Sequence, residues 1–537
     1  MSIRDIFLEG INSGWQSIDA SKLAADRALE ADVAIVGSGA GGGIAAEILT
    51  KAGLKVVLIE EGPLKTSSDF KMLEADAYPQ LYQESAARKT KDKAINILQG
   101  RSVGGSTTVN WTSCFRTPPT TLAHWQREFG LADLTEAGLA PWFDAVDRRL
   151  GIRYWDLSPN INNTMLRKAG WELGISVAPI RRNVKGCWNL GYCGTGCPTN
   201  AKQSMLVTTI PAALAAGAIL VHHLRAERLV LEKGRAVALD CVAMTPAGIH
   251  PAAHRVKVRA NHFVLAGGAI GTPGLLLRSG APDPHKLLGK RTFLHPTTVA
   301  AALMPHAING YAGAPQTIYS DQFLDNVPVD GPIGFKLEVP PMHPVLFGTT
   351  LQGFGETHRH LMHEFANTHA LLSLLRDGFH PDSPGGSVQL RDDGTPVLDY
   401  PITDFVWEGV KRSWLVMAEM QFAAGAKRVY VVHEQCNGYA TMDEARAGIE
   451  TLPLKNQLAR VVSAHVMGGC GMAADEKRGV TDTWGRYRQL DNVTVCDGSL
   501  FPTSIGANPQ QSIYGLAARN ASRLAEELTK QPAPALA

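Results

Sequence analysis

The sequence predicts an α/β fold with an α+β insert, in which two segments of one βαβ-based domain flank a smaller domain with an antiparallel sheet. Three observations predict it. The composition is that of a large globular chain: 537 residues, 45% apolar and 19% charged, with 53 glycines for tight turns. A strand, a glycine-rich loop, a helix and a second strand follow one another between Ala31 and Glu60. The stretch from Phe323 to Tyr400 is rich in Pro, Gly and His, and carries short strand-like runs and a hairpin signal.

Ala31-Asp-Val-Ala-Ile-Val-Gly37 is an apolar run of buried-strand type. It passes directly into Gly37-Ser-Gly39-Ala-Gly-Gly42, then into the helical run Ile44–Leu49. Lys55-Val-Val-Leu-Ile-Glu60 follows as a second strand, ending in a carboxylate 18 residues beyond Gly42. A lone G-x-G-x-x-G is weak evidence. With a strand before it, a helix after it and the acid at that distance, it marks a dinucleotide-binding unit of Rossmann type. Gly37 permits the tight turn, Gly39 lets the backbone approach a pyrophosphate, and Gly42 lets helix and strand pack closely. The helix N-terminus offers N–H groups to phosphate, and Glu60 can accept hydrogen bonds from a ribose.

Further along, Gln203–Leu224 reads as a helix followed by a strand; Pro211, Gly217, His222 and His223 argue against a membrane span. Leu229–Leu231 and Ala236–Ala243 alternate around Gly234 as a hairpin, and Phe263–Ala266 is a buried strand opening onto Gly267-Gly268. Ala370–Leu375 is strand-like, and the turn signal Asp392-Asp-Gly394 joins Val388–Leu390 to Val397-Leu398. A helix is expected from Trp407 to about Ala424, then a strand at Val429–Val432. The expected organisation is a helical lead-in over 1–30, a discontinuous nucleotide domain over 31–299 and 461–530, an inserted domain over 300–460 and a Pro/Ala tail over 531–537.

Composition excludes several classes. Lys and Arg number 52 against 50 Asp and Glu, a net charge of +2, so no nucleic-acid partner is expected. Eight cysteines in a chain this long form no disulfide framework. Met1–Glu30 scatters charges among its apolar residues and has no continuous apolar core, so no secretory signal is read and a cytoplasmic location is the default expectation.

Three more segments sharpen the reading. The first is Gly100-Arg101-Ser-Val-Gly104-Gly105-Ser106-Thr-Thr-Val-Asn110, and the second is Gly268-Ala-Ile-Gly-Thr272-Pro273 through Gly280. The third group comprises Ser463-Ala-His465-Val-Met-Gly468, Val495-Cys-Asp497-Gly-Ser499 and Gly506-Ala-Asn508-Pro509. With the N-terminal fingerprint, these resemble the glucose–methanol–choline (GMC) family of FAD-dependent oxidoreductases, in the family's order and over nearly the whole chain. The resemblance implies a Rossmann-type FAD-binding domain assembled from discontinuous segments, plus a substrate domain with an antiparallel sheet. It places Glu60 at the adenosine ribose and Gly37, Gly39 and Gly42 at the pyrophosphate. Gly100, Arg101, Gly104, Gly105, Ser106 and Asn110 would run under the isoalloxazine, with Asp497, Asn508 and Pro509 completing the cofactor site.

In the resemblance, His465 holds the catalytic position and Asn508 the second one. The chemistry explains the pair. Oxidising an alcohol removes a hydroxyl proton while a hydride leaves the carbinol carbon. A neutral imidazole accepts such a proton near neutrality, whereas Asn508 can only orient the hydroxyl through its amide. The expected function is oxidation of an alcohol to an aldehyde or ketone, with a sugar dehydrogenase or a dioxygen-using alcohol oxidase as alternatives.

Within the family, the chain looks most like long-chain alcohol oxidases and bacterial sugar dehydrogenases, on Asp399-Tyr400-Pro401, Phe422–Lys427 and a cysteine-rich loop. That loop, Cys187-x5-Cys193-x3-Cys197-Pro198, matches one that holds a three-iron (3Fe–4S) cluster in the sugar dehydrogenases. Three readings stand: a cluster, inert thiols or another metal. A cluster would pass electrons to a cytochrome or quinone, and relatives with this loop can be exported to the periplasm with a small partner subunit. His358, His360 and His363 lie close together in sequence, but with no further ligand to close a metal set they read as a solvated or pocket-lining helix.

Overall fold

Val33, Ala34 and Ile35 are fully buried in the strand Arg27–Val36, and the first sheet is built outward from them. The computed structural model describes residues 3–536. On one side Arg27–Val36 pairs in parallel with Val56–Ile59, which pairs with Ile219–His222, which pairs with Gln16–Asp19. On the other side it pairs in parallel with Pro251–Leu265. That long strand also continues into an antiparallel meander, Arg235–Met244 and Leu224–Glu232, and its last residues pair in parallel with Val493–Val495. Burial on both faces explains the unbroken apolar runs, each Val or Ile contributing about 1.5–3 kcal/mol.

The helix expected over Ile44–Leu49 extends over Ala40–Lys51 and begins inside the glycine motif. Glycine costs about 1 kcal/mol relative to alanine within a helix, and here its use is steric. A Cβ on Gly41 would overlap the Cys496 carbonyl, and one on Gly42 would overlap the Gly37 carbonyl. The helix therefore rests directly on two strand ends. Ahead of residue 31 the chain is only partly helical: after the helix Ile6–Asn12, Gln16–Asp19 joins the sheet as an edge strand. Four residues without alternation carry no strand signal; pairing with Ile219–His222 supplies it.

The second sheet centres on Thr297–Leu303, which pairs with Thr368–Leu375 along one edge and with Arg428–Val431 along the other. Phe335–Glu338 and Ile318–Ser320 extend it, while Ile95–Ile97, Ala178–Pro179 and Val461–Ser463 join from outside residues 300–460. The helix Asp404–Ala423 buries Trp414 against this sheet, with its indole N–H donated to Thr298 Oγ1 at 2.7 Å. The expected hairpin forms between Ser387–Leu390 and Pro396–Asp399. Among the described residues, no helix is long and apolar enough to cross a membrane.

Candidate active site

One cavity of about 1850 Å³ runs from Gly37–Gly41 past Gly100–Asn110 to His465 and Asn508. At its first end Gly37 has φ +96°, a conformation glycine adopts freely, and a Cβ there would overlap the Ala266 carbonyl. Gly39 differs. The nearest atom to its would-be Cβ is Gly105 Cα at 3.9 Å, so its bare backbone borders open space. A Cβ on Gly105 would in turn lie 2.7 Å from Gly39 Cα, so these two glycines meet face to face.

The carboxylates around this end are held by the protein. Glu60 Oε2 accepts from Ser38 N–H at 3.1 Å and Ser38 Oγ–H at 2.6 Å, and Oε1 accepts from Gly62 N–H at 2.9 Å. It still borders the cavity, with room for about one more donor, and burial raises its pKa. Asp497 Oδ2 accepts from Gly268 N–H at 2.8 Å and Thr272 Oγ–H at 2.6 Å, joining the helix Gly268–Arg278 to the end of Val493–Val495. The Arg101 guanidinium donates to the Gly248 carbonyl, tying the loop 245–250 over the cavity. Ser106 Oγ accepts from Gly100 N–H at 2.9 Å, and Asn110 Nδ2 donates to Gln510 Oε1 at 2.7 Å. Gly104 turns the loop at φ +89°, and Pro509 caps the helix Gln510–Thr529.

At the other end, backbone register builds a histidine pair. Thr292–Leu294 runs antiparallel to Val466–Gly468 with Leu294 opposite Val466, so the next residues out, His295 and His465, face each other. Their Nδ1 atoms are 2.9 Å apart. His295 Nε2 accepts Gly506 N–H at 3.1 Å, so the neutral His295 ring carries its proton on Nδ1 and donates it to His465. His465 then holds its own resting proton on Nε2. Exchanging both tautomers presents a bare Nε2 and costs the Gly506 hydrogen bond, about 1–3 kcal/mol. Burial lowers the His465 pKa to about 4, which keeps the ring neutral at pH 7.

Beside this pair, Asn508 Nδ2 donates to Glu338 Oε2 at 3.3 Å, while its Oδ1 is buried without a partner. Glu338 accepts only through its carboxylate, so it fixes the amide with the nitrogen inward and the oxygen free. Burial raises the Glu338 pKa to about 6, against the pull of Lys336.

Comparison with known proteins identifies the family. The N-terminal GMC oxidoreductase domain matches residues 78–297 and the C-terminal GMC oxidoreductase domain matches residues 381–517. The chain belongs to the GMC oxidoreductase family. A long-chain-alcohol oxidase of Arabidopsis thaliana is 27% identical over 533 residues, covering 93% of this chain and 68% of that one. An uncharacterized GMC-type oxidoreductase of Mycobacterium tuberculosis is 31% identical, covering 91% and 74%. Formate oxidase of Aspergillus oryzae superposes with a TM-score of 0.68 at 16% identity, covering 94% of this chain and 99% of that one, a likeness of fold. The GMC family binds FAD, and a long cavity with bare glycine backbone at one end fits an extended dinucleotide.

Behind the Gly100–Asn110 segment of this GMC enzyme lies the cysteine loop. Lys202 is buried and its ammonium donates to the Thr108, Asn110 and Cys193 carbonyls at 2.7–2.8 Å, while Tyr82 OH donates to the Gly194 carbonyl at 2.7 Å. Each sulfur has a nearby N–H. Asn189 N–H points at Cys187 Sγ at 3.4 Å, Lys202 N–H at Cys197 Sγ at 3.5 Å, and the buried Arg182 Nη2 lies 4.0 Å from Cys193 Sγ. The three thiols do not converge as a compact mononuclear site would; among the described residues only Asp19, His222 and His223 do so within 4.8 Å. His358 donates to the Gly348 carbonyl and His363 accepts from Arg359, as expected of a solvated helix.

Sequence reasoning missed His295, Glu338, Arg182 and Lys202. The first three sit in no spaced motif, while Lys202 closes the cysteine motif but gains its role through the Thr108 and Asn110 carbonyls far along the chain. Gly41 was legible, since it stands inside the fingerprint.

Buried histidines give this fold a pH dependence. Burial lowers His124 and His262 to about 4 and His369 to about 3. Between pH 6.5 and these values the unfolded chain binds more protons, so each costs about 1.4 kcal/mol of stability per pH unit as pH falls. Glu338 and Asp377, both raised to about 6, act in the opposite sense below that pH. With His295, His343 and His465 also lowered, six histidines outnumber the five carboxyls that burial raises (Glu60, Asp325 and Asp497 beside these two), so the unfolding temperature is expected to drop from pH 7 to pH 5 in scanning calorimetry. A flat profile would contradict these burial assignments.

Proposed function

We propose that this GMC enzyme oxidises an alcohol with a long apolar tail to the corresponding carbonyl compound. The observation that carries the reading is the continuity of one cavity from the glycine loop to His465 and Asn508 and along an apolar stretch of wall in the inserted domain. Val299, Ala301, Leu372, Phe347, Leu351 and Tyr430 belong to that wall. Bound FAD supplies the two-electron acceptor for the carbinol hydride. His465 takes the hydroxyl proton at Nε2 in its accepting tautomer, and in the resting tautomer donates Nε2–H to the oxygen. In the resting tautomer Asn508 Oδ1 accepts from the hydroxyl and fixes its direction, and the hydroxyl hydrogen turns to His465 Nε2 when that ring is in its accepting tautomer. The apolar wall excludes water and holds the tail, each buried methylene worth about 0.8 kcal/mol, or close to fourfold in affinity. An anaerobic screen of straight-chain alcohols should bleach the flavin at concentrations that fall with chain length. Bleaching by sugars alone would overturn the reading.

We further propose that the acceptor is an electron carrier, a cytochrome or quinone. Cys187, Cys193 and Cys197 are suited to hold a three-iron cluster, which would supply one-electron storage. Three N–H donors toward sulfur, and the buried cations Arg182 and Lys202 beside the loop, suit thiolate ligands. Anaerobic purification should yield iron and sulfide with a paramagnetic signal at low temperature. Iron-free protein that is fully flavinated and active would leave these as structural thiols and favour dioxygen as acceptor.

A further inference from the structure

Away from the redox centre, three potential ligand atoms converge where the N-terminal edge strand meets the first sheet. Asp19 and His222 are register partners in the parallel pair Gln16–Asp19 and Ile219–His222, so their side chains lie side by side. Successive strand residues point to opposite faces, and His223 should therefore point away. It does not, because its backbone turns at φ +52°, a left-handed conformation uncommon outside glycine. Its Nδ1 comes within 2.9 Å of Asp19 Oδ1 and 3.2 Å of His222 Nδ1, with His222 Nδ1 3.9 Å from Asp19 Oδ1.

Protons serve this arrangement poorly. A single proton on His223 Nδ1 must be shared between Asp19 Oδ1 at 2.9 Å and His222 Nδ1 at 3.2 Å. A proton on His222 Nδ1 serves His223 and leaves a bare nitrogen against a carboxylate oxygen. A cation satisfies all three at once. Tetrahedral ligands at about 2.0–2.1 Å from zinc stand about 3.3 Å apart, and the three observed separations bracket that value. Ser21 N–H and Oγ–H donate to the Asp19 carboxylate at 3.1 and 2.6 Å, the support a ligating carboxylate usually has. Lys22 Nζ lies 3.4 Å from Asp19 Oδ2 on a side chain 80% exposed, free to swing into solvent.

We propose that Asp19, His222 and His223 form a divalent-metal site of the zinc class, which clips the edge strand Gln16–Asp19 to the sheet. Two imidazoles and one carboxylate leave a fourth position for water and suit a first-row divalent ion. His223 N–H donates to the Gly62 carbonyl and Leu224 N–H to the Glu60 carbonyl, so the clip borders the nucleotide end of the cavity.

The test uses the flavin-loaded protein after chelator treatment. Titrated zinc chloride should bind with one equivalent assignable to the triad and raise the unfolding temperature. Asp19→Asn and His222→Gln should each weaken that equivalent by about 100-fold or more and abolish the thermal shift. Crystals of the unaltered protein soaked in zinc should show anomalous scattering between the three side chains, a readout that does not depend on a variant folding. No anomalous peak there, or zinc binding unchanged by Asp19→Asn (as zinc held by the cysteine loop would be), overturns the proposal.

Discussion

Replacing His465 with Ala is expected to leave FAD bound while slowing anaerobic flavin reduction by about 10²-fold or more, the usual contribution of a general base. Retention of the cofactor follows from geometry. The glycine loop borders the cavity through its own backbone at one end, while at the histidine end the His465 ring is held by its pairing with His295. The loss of rate follows from chemistry, because among the residues placed at that end only His465 borders the cavity and can take a proton. Asn508→Ala should also slow reduction, by losing the unpartnered Oδ1 that directs the hydroxyl. Stopped-flow reduction under nitrogen distinguishes the two from the parent. A parent-like rate in His465→Ala would remove this residue from the proton path.

Gly41→Ala is expected to destabilise the fold by several kcal/mol, with loss of FAD as a consequence. The added methyl would occupy the Cys496 carbonyl, a backbone atom that cannot move without separating the helix Ala40–Lys51 from the strand Val493–Val495. Gly39→Ala is the informative contrast. Its Cβ would meet only Gly105 Cα at 3.9 Å, so the fold should tolerate it within about 1 kcal/mol. The methyl would project into the cavity where the backbone must approach a pyrophosphate, and FAD affinity should fall. Thermal unfolding and flavin content, measured on both variants, should separate these two kinds of glycine. Equal stability in the two would show that the helix is free to shift on its strands.

The glycines illustrate how much was legible. A strand, G-x-G-x-x-G, a helix and an acid declare themselves in consecutive residues, because the tight turn and the close packing are local demands. The motifs around Gly100, Asp497, His465 and Asn508 were also readable as family signatures. Their partners were not. Glu60 was expected at a ribose, and the fold shows most of its acceptor capacity taken by Ser38 and Gly62. Arg101 borders the cavity with the rest of its segment, and its guanidinium anchors the loop at Gly248, a contact no sequence motif signals.

By itself, then, the sequence determined the α/β class, the nucleotide-binding unit and membership of the GMC family, and it singled out His465 and Asn508 as candidates for the chemistry. Each rests on short motifs whose own residues lie within a few positions of one another, whatever the distance between motifs. Only the tertiary structure decided which nitrogen of His465 carries the resting proton, which way the Asn508 amide points and that Asp19 meets His222 and His223. Those depend on contacts between His295 and His465, Glu338 and Asn508, and Asp19 and His223, separated by 170 residues or more. A hydrogen-bond partner that far along the chain is set by strand register and packing, which leave no periodic trace in the residues that meet.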